Sequence, residues 1–359
     1  MKSAILLEEF SRIGGGQMVA NSIAKALEGR FKLDVVTDKY HPKLDRSMFI
    51  NTIETRYSYY EGINLASLLS RIKKLSKDLK ANEKYIRSHD LSVNVHPNIF
   101  LFNADINIIH EPFLFEGSKH KAFARYVTNE LIRILKVYSI YSEARFILAG
   151  NYIKSKIMNE CRYLGINPSL RILHYPVSYP DRIEFQQKKK YVLTFGRINP
   201  DKGLETVLKI ASNSKATFII AGAVNAGSER YFKSLMSKKS ENVEIVANPT
   251  NEKKRELFSQ SSAYLHTKIA ENYGLTVAEG IGHGCIPVVP KNGGPWEDIV
   301  EHGKFGYGYD TPDEASEIIN NVINEDLSKY RYIYDSRDRF SFELFATTIS
   351  DVVDPITKR

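Results

Sequence analysis

The stretches SAYLHTKIAENYGLTVAEG, residues 262–280, and GCIPVVPKNGGP, residues 284–295, decide the fold class. Each begins with an apolar run that predicts a buried strand, one ending near Leu265 and the other at Pro290. Glycines follow both runs, and we expect Gly274 and the pair Gly293-Gly294 to turn the chain into helices. Successive strand–glycine–helix units are typical of an open parallel α/β sheet.

Two carboxylates lie where such a sheet binds its ligands, beyond the carboxyl ends of the strands. Glu271 is on the loop before Gly274, and Glu279 is on the second turn of the predicted helix. Free N–H groups at a helix start suit a phosphate or diphosphate, and carboxylates accept hydrogen bonds from hydroxyl groups. The alternative is that both glutamates are ordinary solvated side chains.

This block resembles the glycosyltransferases of family 4. Their motif is a Glu, seven residues and a second Glu, with Phe-Gly or Tyr-Gly between, and Glu271, Tyr273-Gly274 and Glu279 match it. The resemblance implies the GT-B fold, in which two doubly wound Rossmann-like domains face a central cleft. It also implies that Glu271 contacts the donor sugar and Glu279 the ribose of the nucleotide. The backbone of Leu275-Thr276 would hold the diphosphate.

A second motif follows the apolar run 191–195. The family carries Gly-Arg, four residues and Lys at this place, and Arg197 and Lys202 match it. A departing nucleoside diphosphate gains negative charge, which a fork-shaped Arg, a Lys point charge and backbone N–H groups can stabilise. We therefore expect Arg197 and Lys202 to be catalytic, with solvated surface charges as the alternative.

The N-terminus predicts a further unit of this kind, with a strand at 3–7, a helix at 17–27 and a strand at 33–37. Its glycine loop lacks the GxGxxG spacing of a dinucleotide site and, by itself, indicates no more than a tight turn. By resemblance, Gly14 and Gly15 face the donor phosphate and the acceptor, and Gly16 is a further candidate.

Three other side chains are candidates with an open alternative. His110 ends a predicted strand at 106–110, where related transferases place a His near the acceptor, or it bonds to backbone in a loop. His266 is either a site residue or a buried structural histidine. Lys268 is close enough to the loop to reach a phosphate, although such a lysine is more often solvated.

The chain of 359 residues is long enough for two domains. We predict an N-terminal acceptor-binding domain over residues 1–180 and a nucleotide-sugar-binding domain over 190–338, joined by the polar stretch 178–190. By resemblance, a final helix at about 340–359 packs back on the first domain. Neither an Asp-x-Asp motif nor a histidine cluster occurs, so we expect neither a metal nor another cofactor.

The net charge of +8 implies anionic partners. Residues 65–87 predict a basic amphipathic helix whose leucine face packs on the core or, alternatively, whose basic face contacts an anionic membrane. No apolar run is long enough to cross a membrane, and the two cysteines are far apart and in no metal or redox spacing. We therefore expect a cytoplasmic protein, with peripheral contact at the cytoplasmic face of the membrane as an open alternative.

Together these residues predict a metal-independent transferase that moves a sugar from a nucleoside diphosphate to a hydroxyl of a glycan or lipid-linked acceptor, with retention of the anomeric configuration. His266-Thr267, Gly293-Gly294-Pro295 and Asp298-Ile299-Val300 look like the α-1,2-mannosyltransferase subgroup that extends lipid-linked oligosaccharides, which implies GDP-mannose. A nucleotide-sugar epimerase or another GT-B enzyme using a UDP-sugar is the alternative. Only the charge suggests a nucleic-acid-binding protein, and no RNA-binding signature supports one.

Overall fold

The computed structural model describes residues 1–8, 10, 14–37, 46–54, 77, 80–96, 102–111 and 144–357. The chain divides into two compact units. The first consists of Met1–Pro176 together with Phe342–Arg359, and the second is Val177–Ser341.

The first unit is built on a seven-stranded parallel sheet with the order β3-β2-β1-β4-β5-β6-β7. Its strands are β1 (Lys2–Leu7), β2 (Phe31–Thr37), β3 (Asn51–Glu54), β4 (Leu91–Asn94), β5 (Ile106–Ile108), β6 (Phe146–Ala149) and β7 (Leu170–Ile172). The interior strand β1 is apolar from Ala4 to Leu7, and these four residues are inaccessible to solvent. Such continuous apolar strands are typical of a parallel sheet that is covered on both faces.

Three described helices of the first unit have defined bounds: α1 (Gly15–Leu27), α2 (Asn151–Leu164) and the C-terminal helix Phe342–Thr357. The apolar residues of α1 recur at helical spacing, and Val19, Ile23 and Leu27 are buried. The C-terminal helix packs near α1, where Arg30 donates a hydrogen bond to Ser350 at 2.8 Å and pairs with Asp354.

The second unit contains a six-stranded parallel sheet with the order β10-β9-β8-β11-β12-β13. Its strands are β8 (Lys189–Phe195), β9 (Thr217–Gly222), β10 (Val243–Ala247), β11 (Ser261–Leu265), β12 (Ile286–Pro290) and β13 (Tyr307–Tyr309). Its α-helices are α3 (Leu204–Ser212), α4 (Glu229–Lys238), α5 (Asn251–Gln260), α6 (Leu275–Gly282), α7 (Pro312–Val322) and α8 (Arg331–Asp335). Helices alternate with parallel strands, so both units are Rossmann-like and the predicted fold class is confirmed.

Some predicted element boundaries were wrong. β5 ends at Ile108, so His110 lies two residues beyond the strand. The helix expected at Pro295 is a single π turn, Pro295–Ile299, and α1 begins at Gly15 rather than Gln17.

The predicted basic helix over 65–87 lies mostly outside the described residues, which include residues 80–86 as a helical segment. Contact with an anionic membrane through this helix therefore stays a prediction. No helix in the described ranges is long and apolar enough to cross a membrane.

Candidate functional site

The sheet of the second unit brings two loops together. β8 and β11 are neighbouring parallel strands, so the loops that follow them leave the sheet at the same edge. The Thr267 hydroxyl donates a hydrogen bond to the Lys202 carbonyl at 3.0 Å. Gly203 adopts a φ of +64°, and a Cβ at this position would lie 3.2 Å from the Thr267 carbonyl oxygen. Two segments about 65 residues apart in sequence therefore form one continuous backbone surface.

The centre of this surface is a cluster of opposite charges. Lys202 Nζ lies 2.6 Å from Glu271 Oε2, and Lys268 Nζ lies 3.4 Å from Glu271 Oε1 and 3.8 Å from Asp201. Burial raises the pKa of Glu271, but the charges of Lys202 and Lys268 outweigh burial and lower it to about 2. Glu271 is therefore an ionised hydrogen-bond acceptor at neutral pH. This geometry brings together three of the predicted site residues.

The loop after β8 depends on a close approach of two backbones. Gly196 N donates to Ala221 O at 3.0 Å, and Ile198 N donates to Ala223 O at 2.8 Å. A Cβ on Gly222 would lie 1.5 Å from the Gly196 carbonyl oxygen, so no side chain fits there. Arg197 follows this contact and is exposed, and its side chain has no ion-pair partner among the described residues.

Glycines also bring the start of the π turn against the Glu271 loop. Gly294 N donates to the Glu271 carbonyl at 2.8 Å. A Cβ on Gly293 would lie 2.8 Å from that carbonyl oxygen, and a Cβ on Gly294 would lie 2.3 Å from the Asn272 oxygen. The Gly293-Gly294 pair is therefore required by packing, because larger residues would push the Glu271 loop out of place.

Helix α6 begins beside this loop at Gly274, which has a φ of +97° and provides no side-chain cap. The N–H groups of Leu275 and Thr276 have no hydrogen-bond acceptor in the part of the chain that the structure describes. Unsatisfied N–H groups at a helix start attract anions. The backbone predicted to hold a diphosphate therefore has the donors that such a role needs.

Glu279 lies on α6 and forms an ion pair that the sequence analysis missed. Its Oε1 atom is 2.6 Å from Lys254 Nζ on α5. Burial raises the pKa of Glu279, and the charge of Lys254 acts in the opposite direction. No motif marks Lys254, but it lies four residues before the buried Phe258 on the same helix, so their side chains share a face.

His266 is buried at the end of β11 with 6% of its surface exposed. Its main chain is fixed, because its N–H donates to Val288 O at 2.9 Å and its carbonyl accepts from the Tyr309 hydroxyl at 2.8 Å. The pKa of His266 is lowered to about 4, mainly by burial. The positive charges of Lys202 and Lys268 also lower it, and the negative charge of Glu271 partly offsets these effects. The imidazole is therefore neutral at pH 7, and Nε2 has no hydrogen-bond partner among the described residues.

The candidates of the first unit lie at the carboxyl ends of its own strands. Gly14 is the N-cap of α1, and a Cβ on Gly16 would lie 3.7 Å from Glu8 Oε1. Glu8, which the sequence analysis missed, follows β1, is fully buried and accepts a hydrogen bond from Gln17 Nε2 at 3.1 Å. Gly15 is the first residue of the helix.

His110 of the first unit contacts the Tyr175 hydroxyl through Nδ1 at 3.0 Å. Burial lowers the pKa of His110 to about 3, and His96 contributes in the same direction. Its Nε2 atom has no hydrogen-bond partner among the described residues. A neutral imidazole held by a tyrosine can accept or donate one hydrogen bond at its remaining nitrogen.

Within the described ranges, no group of three His, Cys, Asp or Glu side chains is arranged to hold a metal ion. Lys202 and Lys268 instead place two cationic groups at the Glu271 loop. Such groups, together with the helix N–H groups, can bind a diphosphate and stabilise charge on it.

The match to a known protein family lies in the second unit. Residues 178–339 match the profile of the family described as "Glycosyl transferases group 1". Over 300 residues, the chain is 22% identical to the GDP-Man:Man(3)GlcNAc(2)-PP-Dol alpha-1,2-mannosyltransferase of Dictyostelium discoideum, covering 75% of this chain and 57% of that protein. Over 192 residues it is 26% identical to the alpha-1,3/1,6-mannosyltransferase ALG2 of the same organism, covering 46% of each chain. The chain thus spans about half the length of these curated relatives.

Solved structures show the same architecture over nearly the whole chain. The sucrose-phosphate synthase of Thermosynechococcus elongatus has a TM-score of 0.74 at 14% identity, with all of both chains covered. Anabaena HepE in complex with UDP and glucose has a TM-score of 0.71 at 17% identity, covering 99% of this chain and 100% of that one. The two Rossmann-like units therefore have the GT-B fold, as predicted.

Proposed function

We propose that this protein is a glycosyltransferase that moves a sugar from a nucleoside diphosphate to a hydroxyl group of an acceptor. The observation that carries the proposal is the cluster of Lys202, Glu271 and Lys268 beside the start of α6. It lies within the segment that matches the group 1 glycosyltransferase profile. A hydrolase with Glu271 as nucleophile is disfavoured, because it would have no use for lysines and free helix N–H groups.

The chemistry follows from the charges. Lys202, Arg197 and the N–H groups of Leu275-Thr276 are the donors for the diphosphate, and they would stabilise the negative charge that grows as the sugar leaves. Glu271, ionised at neutral pH, would accept hydrogen bonds from the donor sugar. With these groups, the proposed stabilisation of the leaving group needs no metal ion.

GDP-mannose is the proposed donor, and a glycan or lipid-linked molecule is the proposed acceptor. Support comes from the two mannosyltransferase relatives, one of which is described as using GDP-mannose. Transfer would retain the anomeric configuration, with the leaving phosphate taking the proton of the acceptor hydroxyl. In this scheme Gly14, Gly15 and His110 of the first unit would serve the acceptor and the donor phosphate.

Calorimetric binding of nucleotides tests the proposal. GDP, UDP and ADP and their hexose conjugates would be titrated into the protein with and without EDTA. We expect GDP and GDP-mannose to bind most tightly and EDTA to leave the affinity unchanged. Preference for a UDP or ADP form would discard the mannosyltransferase assignment, and a loss of affinity in EDTA would discard metal independence. If no nucleotide binds, the transferase proposal itself is wrong.

A further inference from the structure

The ion pair between Lys254 and Glu279 links the side chains of two helices of the second unit, α5 and α6. The Lys254 side chain is 26% exposed and that of Glu279 is 13% exposed, and their charged atoms are 2.6 Å apart. Lys254 Nζ also lies 5.3 Å from the ring centre of Phe195 and 5.7 Å from that of Phe258. The lysine is therefore held between a carboxylate and two aromatic rings.

This arrangement leaves the two oxygens of Glu279 unequal. Oε1 contacts Lys254, whereas Oε2 accepts no hydrogen bond from the described residues. An ionised carboxylate can accept hydrogen bonds at both oxygens. One oxygen is thus fixed by the protein, and the other can accept a hydrogen bond from a ligand hydroxyl.

A mostly buried carboxylate is costly to keep ionised without a partner. Burial raises the pKa of Glu279, and Lys254 opposes that change. Among the described residues, Tyr264 and Cys285, both of which are buried, also interact electrostatically with Glu279. Lys254 is therefore the cation that favours the ionised form of Glu279.

We propose that Lys254 is a positioning residue for ribose recognition: it orients Glu279 through Oε1 so that Oε2 accepts a hydrogen bond from a ribose hydroxyl. The inference rests on the proposed function, because it takes Glu279 as the ribose-binding carboxylate. It adds that the site distinguishes ribonucleotides from nucleotides that lack the ribose hydroxyls. Lys254 itself contacts Glu279 and not the ligand.

The test compares GDP with 2′,3′-dideoxy-GDP in calorimetric titrations of the wild type, Lys254→Met, Lys254→Arg and Glu279→Gln. We expect Lys254→Met to weaken GDP binding about tenfold, the lower end of what a charged hydrogen bond contributes. Its affinity for dideoxy-GDP should stay within about twofold of the wild type, because that ligand makes no hydrogen bond to Glu279. Lys254→Arg should recover most of the GDP affinity, since it restores the cation.

Lys253→Met is the matched control, because Lys253 lies on the same helix and pairs with Glu256 at the surface. It should bind both ligands like the wild type. Equal weakening of GDP and dideoxy-GDP by Lys254→Met would overturn the proposal, and so would unchanged or tighter GDP binding. A wild type that binds no nucleotide would instead remove the proposed function, and the positioning role with it.

Discussion

At the scale of single residues, Lys202 is the side chain whose loss should matter most. Its ammonium group is 2.6 Å from Glu271, which lies on the loop that leads into α6 at Gly274. We expect Lys202→Ala to lower turnover about 10²- to 10³-fold, comparable to removing one donor that stabilises a transition state. Arg197→Ala should act in the same direction. The measurement is the initial rate of GDP release from GDP-mannose under saturating donor.

The control for this prediction is Lys238→Ala, which removes an exposed lysine at the end of α4. Its rate should equal that of the wild type, and thermal melting should show that all three variants are folded. If Lys202→Ala keeps the wild-type rate, the lysine does not act on the leaving diphosphate, and the contact with Glu271 is structural.

At the scale of elements, the end of β9 should be intolerant of any side chain. Gly222 has a φ of +154°, and a Cβ there would lie 1.5 Å from the Gly196 carbonyl oxygen. We expect Gly222→Ala to lower the free energy of unfolding by about 1–3 kcal/mol, the usual cost of overpacking, or to prevent folding. It should also weaken nucleotide binding, because the Gly196 carbonyl directly precedes Arg197.

Gly227→Ala is the control variant, because it separates the cost of a steric clash from the cost of a positive φ. Gly227 also has a positive φ, +89°, but apart from its chain neighbours no described residue has an atom within 4 Å of the site of its Cβ. Urea unfolding of both variants gives the comparison. A Gly222→Ala protein no less stable than Gly227→Ala would contradict the close approach of the two backbones.

The elements themselves were largely predictable from the sequence. The strand that ends at Leu265 and the turn at Gly274 could be predicted because each depends on local sequence. A buried parallel strand is a continuous apolar run, and a left-handed turn favours glycine. The contact between Gly196 and Gly222 was not predictable, because it depends on β9 lying next to β8 in the sheet. The ion pair between Lys254 and Glu279 was missed for the same reason, since sheet order and helix packing depend on contacts between residues that are far apart in the sequence.

At the scale of the whole molecule, the fold class followed from repeated strand–glycine–helix units, whereas the roles of the site residues did not. The spacing of the sequence motifs predicted that Lys202 and Glu271 lie in loops at the carboxyl ends of strands. In the structure, the order of strands in the sheet brings those two loops into contact. The roles of Arg197, His110 and the N-terminal glycines stay predictions, because they depend on a bound donor and acceptor.

The second unit should also lose stability in mild acid. His266 and His283 are 6% and 4% exposed, and burial, the main cause for both, lowers each pKa to about 4. An unfolded histidine has a pKa of about 6.5, so below that value protons bind the unfolded chain preferentially. The contribution of these histidines to the free energy of unfolding is therefore fully present above pH 6.5 and is lost as the pH falls toward 4. Between pH 7 and 5.5 the loss is about 1 kcal/mol for each histidine.

The single tryptophan, Trp296, belongs to the second unit, so its fluorescence during urea unfolding reports on this unit. His266→Gln should reduce the difference in unfolding free energy between pH 7 and 5.5 by about 1 kcal/mol, since glutamine does not titrate. Ser316→Ala is the control, because it removes a buried hydroxyl that donates to Ile210 O at 2.8 Å without changing any titrating group. It should destabilise the unit equally at both pH values. If His266→Gln keeps the full wild-type pH difference, His266 is not held neutral in the folded protein.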